Sequence, residues 1–553
     1  MEDLIKTIAA ACKELFGVDV VPELTRVEEK FGDFATNVAL QLSKQLAKNP
    51  RVIAEELVGK ITSDSILKTE VAGPGFINIF LTDQALLASV GRPNLKSLAG
   101  KVVVAEYSDP NPFKVLHAGH LYTTLVGDVI ANLLEVAGAD VKRVNFGGDV
   151  GLHVAKAMWA ILKAIGDENP NEFLNKIDEN NRAVWISERY VEGNTSYEND
   201  ESSKTEIIDI NQKIYALHAN NEHDSDFAHV YWTCRQWSYE GFEKLYVDLG
   251  VHPFTKYYPE SDTTPLGLES VSKLLDEGVL EKSDGAVIYR GEKDGLYTQV
   301  FLNSKGLPTY SAKDLGLALR KWQDYHFDKS IVITANDIEQ YMKIVLKVVS
   351  SLAPEIAERS THITHGLIKL TGGEKMSSRK GNVLLAQDVL SAASEANNKA
   401  TGKEDNEVVV GAVKYAFLKN RIGGDMTYDP AESVSLEGNS GPYLQYAHAR
   451  ACSILRKKEV PSGLPENLEA GERSLVLKIS EFSEVVDNAV QELMPHHICT
   501  YLYELAQVFN RFYEHNRVID DPRETTRLQL VNAYTETLQK GLSLLNISAP
   551  ERM

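Results

Sequence analysis

Cysteine is scarce in this sequence. Its 553 residues hold four, Cys12, Cys234, Cys452 and Cys499. No two stand at CxxC spacing and none lies at zinc-finger spacing from a histidine, so neither a disulfide framework nor a structural zinc site is expected. Free thiols in a reducing cytosol fit better. Long apolar runs are missing too: no stretch approaches the ~20 apolar residues of a membrane span. The opening MEDLIKTIAAACKELFG lacks the basic start, apolar run and cleavage site of a signal peptide. Net positive charge is absent. The 58 Lys and Arg against 78 Asp and Glu leave −20, which argues against a general nucleic-acid binder unless basic residues are concentrated locally. There is no internal repeat and no low-complexity tract. What remains is ordinary globular composition, 43% hydrophobic and 25% charged. The length suits three to five domains at roughly 100–200 residues each.

Residues 1–95 read as a small α/β unit. Helical periodicity runs through Leu4–Phe16 and Phe34–Ala47, and a Gly73-Pro74-Gly75 turn feeds a strand ending at Leu81. A second unit, 96–360, opens with a β-rich run at Val102–Tyr107. A proline-bearing loop follows, then a helical stretch Leu121–Val136 and a strand Val141–Phe146. This is a βαβ unit, the building block of a doubly wound parallel sheet. Residues 155–270 are polar and mostly helical, and read as an insertion, with the acidic stretch Glu192–Ser203 expected as an exposed loop. The βα pattern resumes near Ala286. Residues 361–435 contain a basic loop, and 436–553 read as long amphipathic helices.

Two motifs carry chemistry. The first, Tyr107-Ser108-Asp109-Pro110-Asn111-Pro112-Phe113-Lys114-Val115-Leu116-His117-Ala118-Gly119-His120, sits where a strand gives way to a helix. That is the carboxyl edge of the expected sheet, where ligands of such sheets bind. A helix start offers free N–H groups and a positive dipole end to phosphate. His117 and His120, three apart, would share a face, Gly119 would leave room for a nucleotide, and Lys114 would add a point charge. The second motif, Gly373-Glu374-Lys375-Met376-Ser377-Ser378-Arg379-Lys380, puts three cations within six residues of an acidic protein. Such a loop could close over a polyphosphate. Together the motifs indicate nucleotide chemistry, and by themselves leave a small-molecule nucleotidylyltransferase open.

In this order the pair resembles the HIGH and KMSKS signatures of class I aminoacyl-tRNA synthetases, with Ser378 where the pattern has its second lysine. SDPNPFKVLHAGH is similar to the arginyl form of the first signature. Phe31-Gly32-Asp33-Phe34 with Phe76-Ile77-Asn78, Tyr310-Ser311-Ala312-Lys313-Asp314-Leu315, Asn439 through Arg450, and the ending Ala549-Pro550-Glu551-Arg552-Met553 also resemble arginyl-tRNA synthetases, so the likeness spans essentially the whole chain. The sequence departs from that family at Tyr122, at Ile338 and in Gly148-Asp149-Val150-Gly151-Leu152-His153.

The resemblance implies a Rossmann-type catalytic domain between a small N-terminal add-on domain and an all-α anticodon-binding domain. It implies arginine–tRNA ligation in translation, in the cytoplasm and as a monomer. ATP with Mg²⁺ would be a substrate, arginine and tRNA(Arg) the partners, and no metal or organic cofactor would be held tightly. His117, His120, Lys114 and Lys375 would be catalytic. Pro110, Gly119, Met376, Ser377, Ser378 and Arg379 would join them around ATP. Asp314 with Tyr310 would take the guanidinium, which needs planar acceptors, Glu106 and Asn111 would hold the amino-acid end, and Ser108 would join them around arginine. For tRNA the candidates are Phe31, Asn78, Tyr443, Gln445, Tyr446, Arg450, Arg511 and Met553. Further basic residues, Arg456, Lys457, Lys458, Arg517, Arg523 and Arg527, are interleaved with aromatics as anticodon bases require.

Overall fold

A computed structural model describes residues 2–90, 96–371, 384–463, 465 and 467–553. Near the N-terminus, alternating apolar residues form an antiparallel sheet in the order Leu24–Arg26, Phe34–Thr36, Phe76–Leu81, Ile66–Ala72. Helices Glu2–Phe16, Val38–Leu46 and Pro50–Val58 cover it through Ile8, Val38, Leu42, Ile53 and Leu57. The helix expected from Phe34 begins only at Val38, because Phe34–Thr36 pairs as the inner strand. Asn49 starts the next helix: its side chain caps Arg51 N, with Pro50 in the first turn.

The central sheet has five parallel strands: β1 (Val102–Glu106), β2 (Asp140–Gly147), β3 (Lys256–Pro259), β4 (Lys329–Ala335) and β5 (Ser360–His365), in the order β5-β4-β1-β2-β3. The chain runs outward from β1 through β2 to β3, then restarts at β4 on the other side. The carboxyl ends of β1 and β4 therefore flank the switch point at which doubly wound sheets bind ligands. Helix α1 (Ala118–Val136) follows β1 and is buried along nearly its whole length.

The segment read as an insertion needs two corrections. β3 and most of the helix Glu260–Asp276 fall within 155–270 yet belong to the sheet domain. The short strand KYYP gives little signal beside 100 residues of helical pattern. Glu192–Ser203 is helical, not a loop. It spans the end of Arg182–Asn199 and the start of Glu201–Ala219, broken at Asp200, whose carboxylate accepts from Ser203 N at 2.7 Å. Its polarity reflects solvent-facing helix surface.

The C-terminal part is helical, from Ala386–Thr401 to Glu524–Leu544. Its apolar stripes merge with those of α1 into one continuous core, in which Leu121, Leu125, Val413, Phe417, Val486 and Leu502 are buried. No helix among the described residues is long and apolar enough to cross a membrane.

Candidate active site

The first motif turns the chain sharply between β1 and α1. Ser108, Asp109 and Phe113 all take the left-handed backbone region, with φ of 74°, 47° and 67°. Strain of this kind needs local over-determination, and the loop provides it. Ser108 Oγ lies 2.7 Å from Tyr246 Oη and accepts from Thr124 Oγ1 at 2.8 Å. Asp109 accepts from Phe146 N at 2.7 Å, and Asn111 Oδ1 from Gly148 N at 2.9 Å. The loop is thus riveted to the end of β2.

His117 is the N-cap of α1. Its Nδ1 accepts from Gly119 N at 3.1 Å and His120 N at 3.3 Å, while His120 Nδ1 accepts from His117 N at 3.4 Å. Ala118 N is also taken, by Leu384 O at 2.9 Å. The free N–H groups expected at this helix start are therefore occupied by the motif itself. Because each Nδ1 accepts, each ring carries its proton on Nε2. Burial, then the Lys114 charge, lowers His117 to about 4. Burial and the neighbouring His117 hold His120 well below the ordinary imidazole range. Both rings are neutral hydrogen-bond donors. A Cβ on Gly119 would lie 2.9 Å from His117 Cε1 and Nδ1, so the glycine makes room for the capping ring, and it also lines the cleft.

The histidines line a cleft of 460 Å³ with Glu106, Asp109, Asn111, Tyr310, Asp314 and residues from the end of β4, including Asp337 and Ile338. Glu106 is bonded to Lys321, and Glu260, across the cleft, pairs with Lys313 at 2.5 Å. Among the described residues Asp109, Asp314 and Asp337 make no ion pair. Burial raises Asp314 to about 7, partly offset by the hydroxyl that Tyr341 donates to it. Burial and the charge of Glu106 raise Asp109. Glu106 sits with Asp314 where the cleft continues into a smaller cavity.

Ser108 and Asn111 also line the cleft, whereas Pro110 is buried behind it. Lys114 faces elsewhere: its ammonium lies 4.2 Å from the Tyr190 ring centroid, and burial lowers it to about 8. Lys375, Met376, Ser377, Ser378 and Arg379 lie outside the described residues. The chain beyond them returns to the motif, since Leu385 bridges His117 and Ala386 N donates to Leu116 O at 3.0 Å.

Sequence reading missed Thr123, Glu260, Asp337 and Tyr341, all of which line the cleft. Glu260 follows directly on the carboxyl end of β3, and Asp337 lies two residues past that of β4, a signal available once β3 is recognised.

The expected tRNA residues divide. Phe31, Tyr446, Arg511 and Met553 are exposed, and Arg450 lies 4.8 Å from the Tyr513 ring centroid. Tyr443 is half-buried and accepts from Asn510 at 2.8 Å. Gln445 is fully buried and donates to Ser548 O at 3.2 Å, pinning the C-terminal segment instead of facing solvent. Asn78 is largely buried. Arg523 and Arg527 turn onto Glu472, the latter at 3.0 Å, and so are engaged within the protein.

A parallel sheet with this switch point, a paired-histidine helix start beside it and a helical C-terminal block define the class I aminoacyl-tRNA synthetases. Three family models match the chain: "Arginyl tRNA synthetase N terminal domain" over 2–81, "tRNA synthetases class I (R), catalytic domain" over 82–427, and "DALR anticodon binding domain" over 444–553. The chain belongs to the arginyl-tRNA synthetase family. It is 30% identical to an arginine–tRNA ligase of Porphyromonas gingivalis over the full length of both, and 31% identical to one of Lactobacillus delbrueckii over 95% of this chain and 94% of that one. The Thermus thermophilus arginyl-tRNA synthetase structure superposes with a TM-score of 0.81 at 25% identity, covering 100% of both chains. One from Plasmodium falciparum, at 21% identity, shares the fold with a TM-score of 0.78 over 100% of this chain and 99% of that one.

Proposed function

We propose that this protein is the ligase that activates arginine with ATP and esterifies it to the 3′ end of tRNA(Arg) in cytoplasmic translation. One observation carries the specificity. The cleft that holds two neutral imidazole donors also holds Asp109, Asp314 and Asp337, which make no ion pair among the described residues. Arginine brings two cations, an α-ammonium and a planar guanidinium that carboxylates bind in fork geometry. Asp314, with Glu106 beside it and Tyr310 at the rim, takes the guanidinium. Asn111 and Asp109 face the amino-acid end.

The arginine carboxylate attacks the α-phosphorus of ATP. The bond to the bridging oxygen breaks, and pyrophosphate leaves. His117 and His120 donate Nε2–H to the phosphate oxygens as charge builds on them. They need no proton of their own to give up, because preorganised neutral donors suffice. The basic loop around Lys375 would meet the leaving pyrophosphate, with magnesium entering on the triphosphate. A hydroxyl of the terminal tRNA adenosine then attacks the carbonyl, and AMP leaves. The folds at 2–81 and 444–553 support binding of the tRNA body and anticodon.

Pyrophosphate exchange with each amino acid in turn, with and without tRNA, tests this. Exchange with arginine alone among the amino acids is expected. Exchange with another amino acid and none with arginine would overturn the specificity.

A further inference from the structure

His365 is the last residue of β5 and is 1% exposed. Its Nδ1 lies 2.9 Å from Gly366 O, and its Nε2 lies 2.7 Å from Thr123 Oγ1. Thr123 stands on α1 in the turn after His120 and lines the cleft, with Oγ1 also 3.0 Å from Gly119 O. The Tyr122 ring packs 4.5 Å from the imidazole. Past His365 there is no slack in the backbone. A Cβ on Gly366 would lie 2.3 Å from Gly424 backbone atoms, and Leu367 N donates to Asp425 at 2.9 Å.

The protons can be assigned. Gly366 O only accepts, so Nδ1 carries the hydrogen. In the neutral ring Nε2 then accepts, and the Thr123 hydroxyl hydrogen is shared between it and Gly119 O. The edge strand of the sheet is thereby hydrogen-bonded to Thr123, whose hydroxyl also reaches Gly119 O in the turn that carries both imidazoles. No other side chain of β5 bonds to α1 among the described residues.

We infer that His365 is a positioning residue for adenylate formation, fixing the His117–His120 turn against the sheet through the Thr123 hydroxyl. The inference rests on the ligase reading. Neither residue touches the reacting atoms. Their effect is on where the two Nε2 donors stand, and a displacement of ~1 Å in such a site costs up to about a hundredfold in rate.

Pyrophosphate exchange driven by arginine reads this directly. His365→Phe keeps a planar ring against Tyr122 and removes the acceptor. It should lower kcat about tenfold while leaving the KM for arginine within about twofold. Thr123→Val, nearly isosteric, should reproduce that loss. The double variant should lose no more than either single, since both break one link. His365→Gln, whose amide oxygen can accept from Thr123, should recover most of the rate. An unchanged kcat in either single variant, or losses that multiply in the double, would overturn the inference. If His365→Phe does not fold, Thr123→Val decides alone. A wild-type protein without arginine-dependent exchange would instead bring down the ligase reading, and this inference with it.

Discussion

The rings of His117 and His120 lie stacked, centroids 3.8 Å apart, each turning its Nδ1 back onto the backbone of their shared helix start. This explains why both remain neutral. A proton on Nδ1 would set two donors against each other and uncap the helix. His117→Asn should separate the two roles. Asparagine is a good N-cap, so thermal stability should stay near wild type while exchange falls about a hundredfold for want of one donor. His117→Ala should lose the same activity and also about 1 kcal/mol of stability. Gly119→Ala should lower kcat as well, because its methyl displaces the His117 ring.

The same rings set an acid limit. The unfolded chain binds a proton near pH 6.5 and the folded His117 only near 4. Between those values the unfolded state holds more protons, so stability is full above about 6.5 and declines as pH falls toward 4. His117→Asn should flatten part of that decline in urea titrations run across the window. An unchanged slope would mean His117 is not protected.

Asp314 works in the opposite sense. Its folded value of about 7 lies above the ordinary carboxylate range, and arginine needs it ionised. Below pH 7 binding must release a proton, so the dissociation constant for arginine should rise about tenfold per pH unit. Calorimetry in buffers of different ionisation heat would show that release. For folding, the native state holds the extra proton between about 4 and 7. Asp314 therefore subtracts stability as pH rises through that range and leaves the ligand-free protein strained above it. Asp314→Asn should raise the melting temperature at pH 8 while abolishing arginine activation.

The stations of this site were legible because they are local. A strand, a proline-bearing turn and two histidines are contiguous, and the carboxyl-edge rule placed them correctly. Asp314 was singled out by the family resemblance, not by spacing, and it lines the cleft. The hydrogen bonding was not legible. That His117 caps its own helix, and that Gly119 serves that ring, depends on χ angles no spacing reveals. Glu260 was missed because four residues of β3 were swallowed by the helical pattern around them. Gln445, Arg523 and Arg527 looked like RNA contacts because polar residues on amphipathic helices are usually outside. Gln445 and Arg527 are buried here and Arg523 is half-buried, because Ser548, Glu469 and Glu472 meet them from distant parts of the chain.

The N-terminal and C-terminal domains are bolted together by Arg473. Its guanidinium bonds Asp33 at 2.7 Å, Asp83 at 2.6 Å and Leu81 O at 3.1 Å. Arg26 makes the reciprocal bond to Glu484 at 2.8 Å. Asp33 is only 4% exposed, so Arg473→Ala would strand a buried carboxylate, at a cost of about 3 kcal/mol. Hydrogen exchange should show the loss concentrated in residues 2–81 and the helix Ala470–Ser480, with the catalytic sheet unaffected. Uniform loss across the chain would mean that the contact does not couple these two domains in particular.

A chain with net charge −20 has few cations to give an RNA, and the structure narrows them further. Arg523 and Arg527 are engaged internally, Arg456 donates to Glu551 O at 2.8 Å, and Lys458 leans on Glu524 at 3.4 Å. Arg511 is exposed, with no ion pair among the described residues, on the helix His496–His515. Tyr446 presents a half-exposed ring on the helix Gly441–Leu455. If these two serve the tRNA, they should fail differently. Arg511→Ala should weaken binding and reduce the slope of log affinity against log salt by about 1, the signature of one lost phosphate contact. Tyr446→Ala should cost about 1–3 kcal/mol of stacking and leave that slope alone. Filter binding of tRNA(Arg) at several salt concentrations distinguishes them. An unchanged slope in the arginine variant would move the phosphate contacts away from this helix and leave the N-terminal domain, around Phe31 and Lys30, as the place where this acidic protein meets the tRNA backbone.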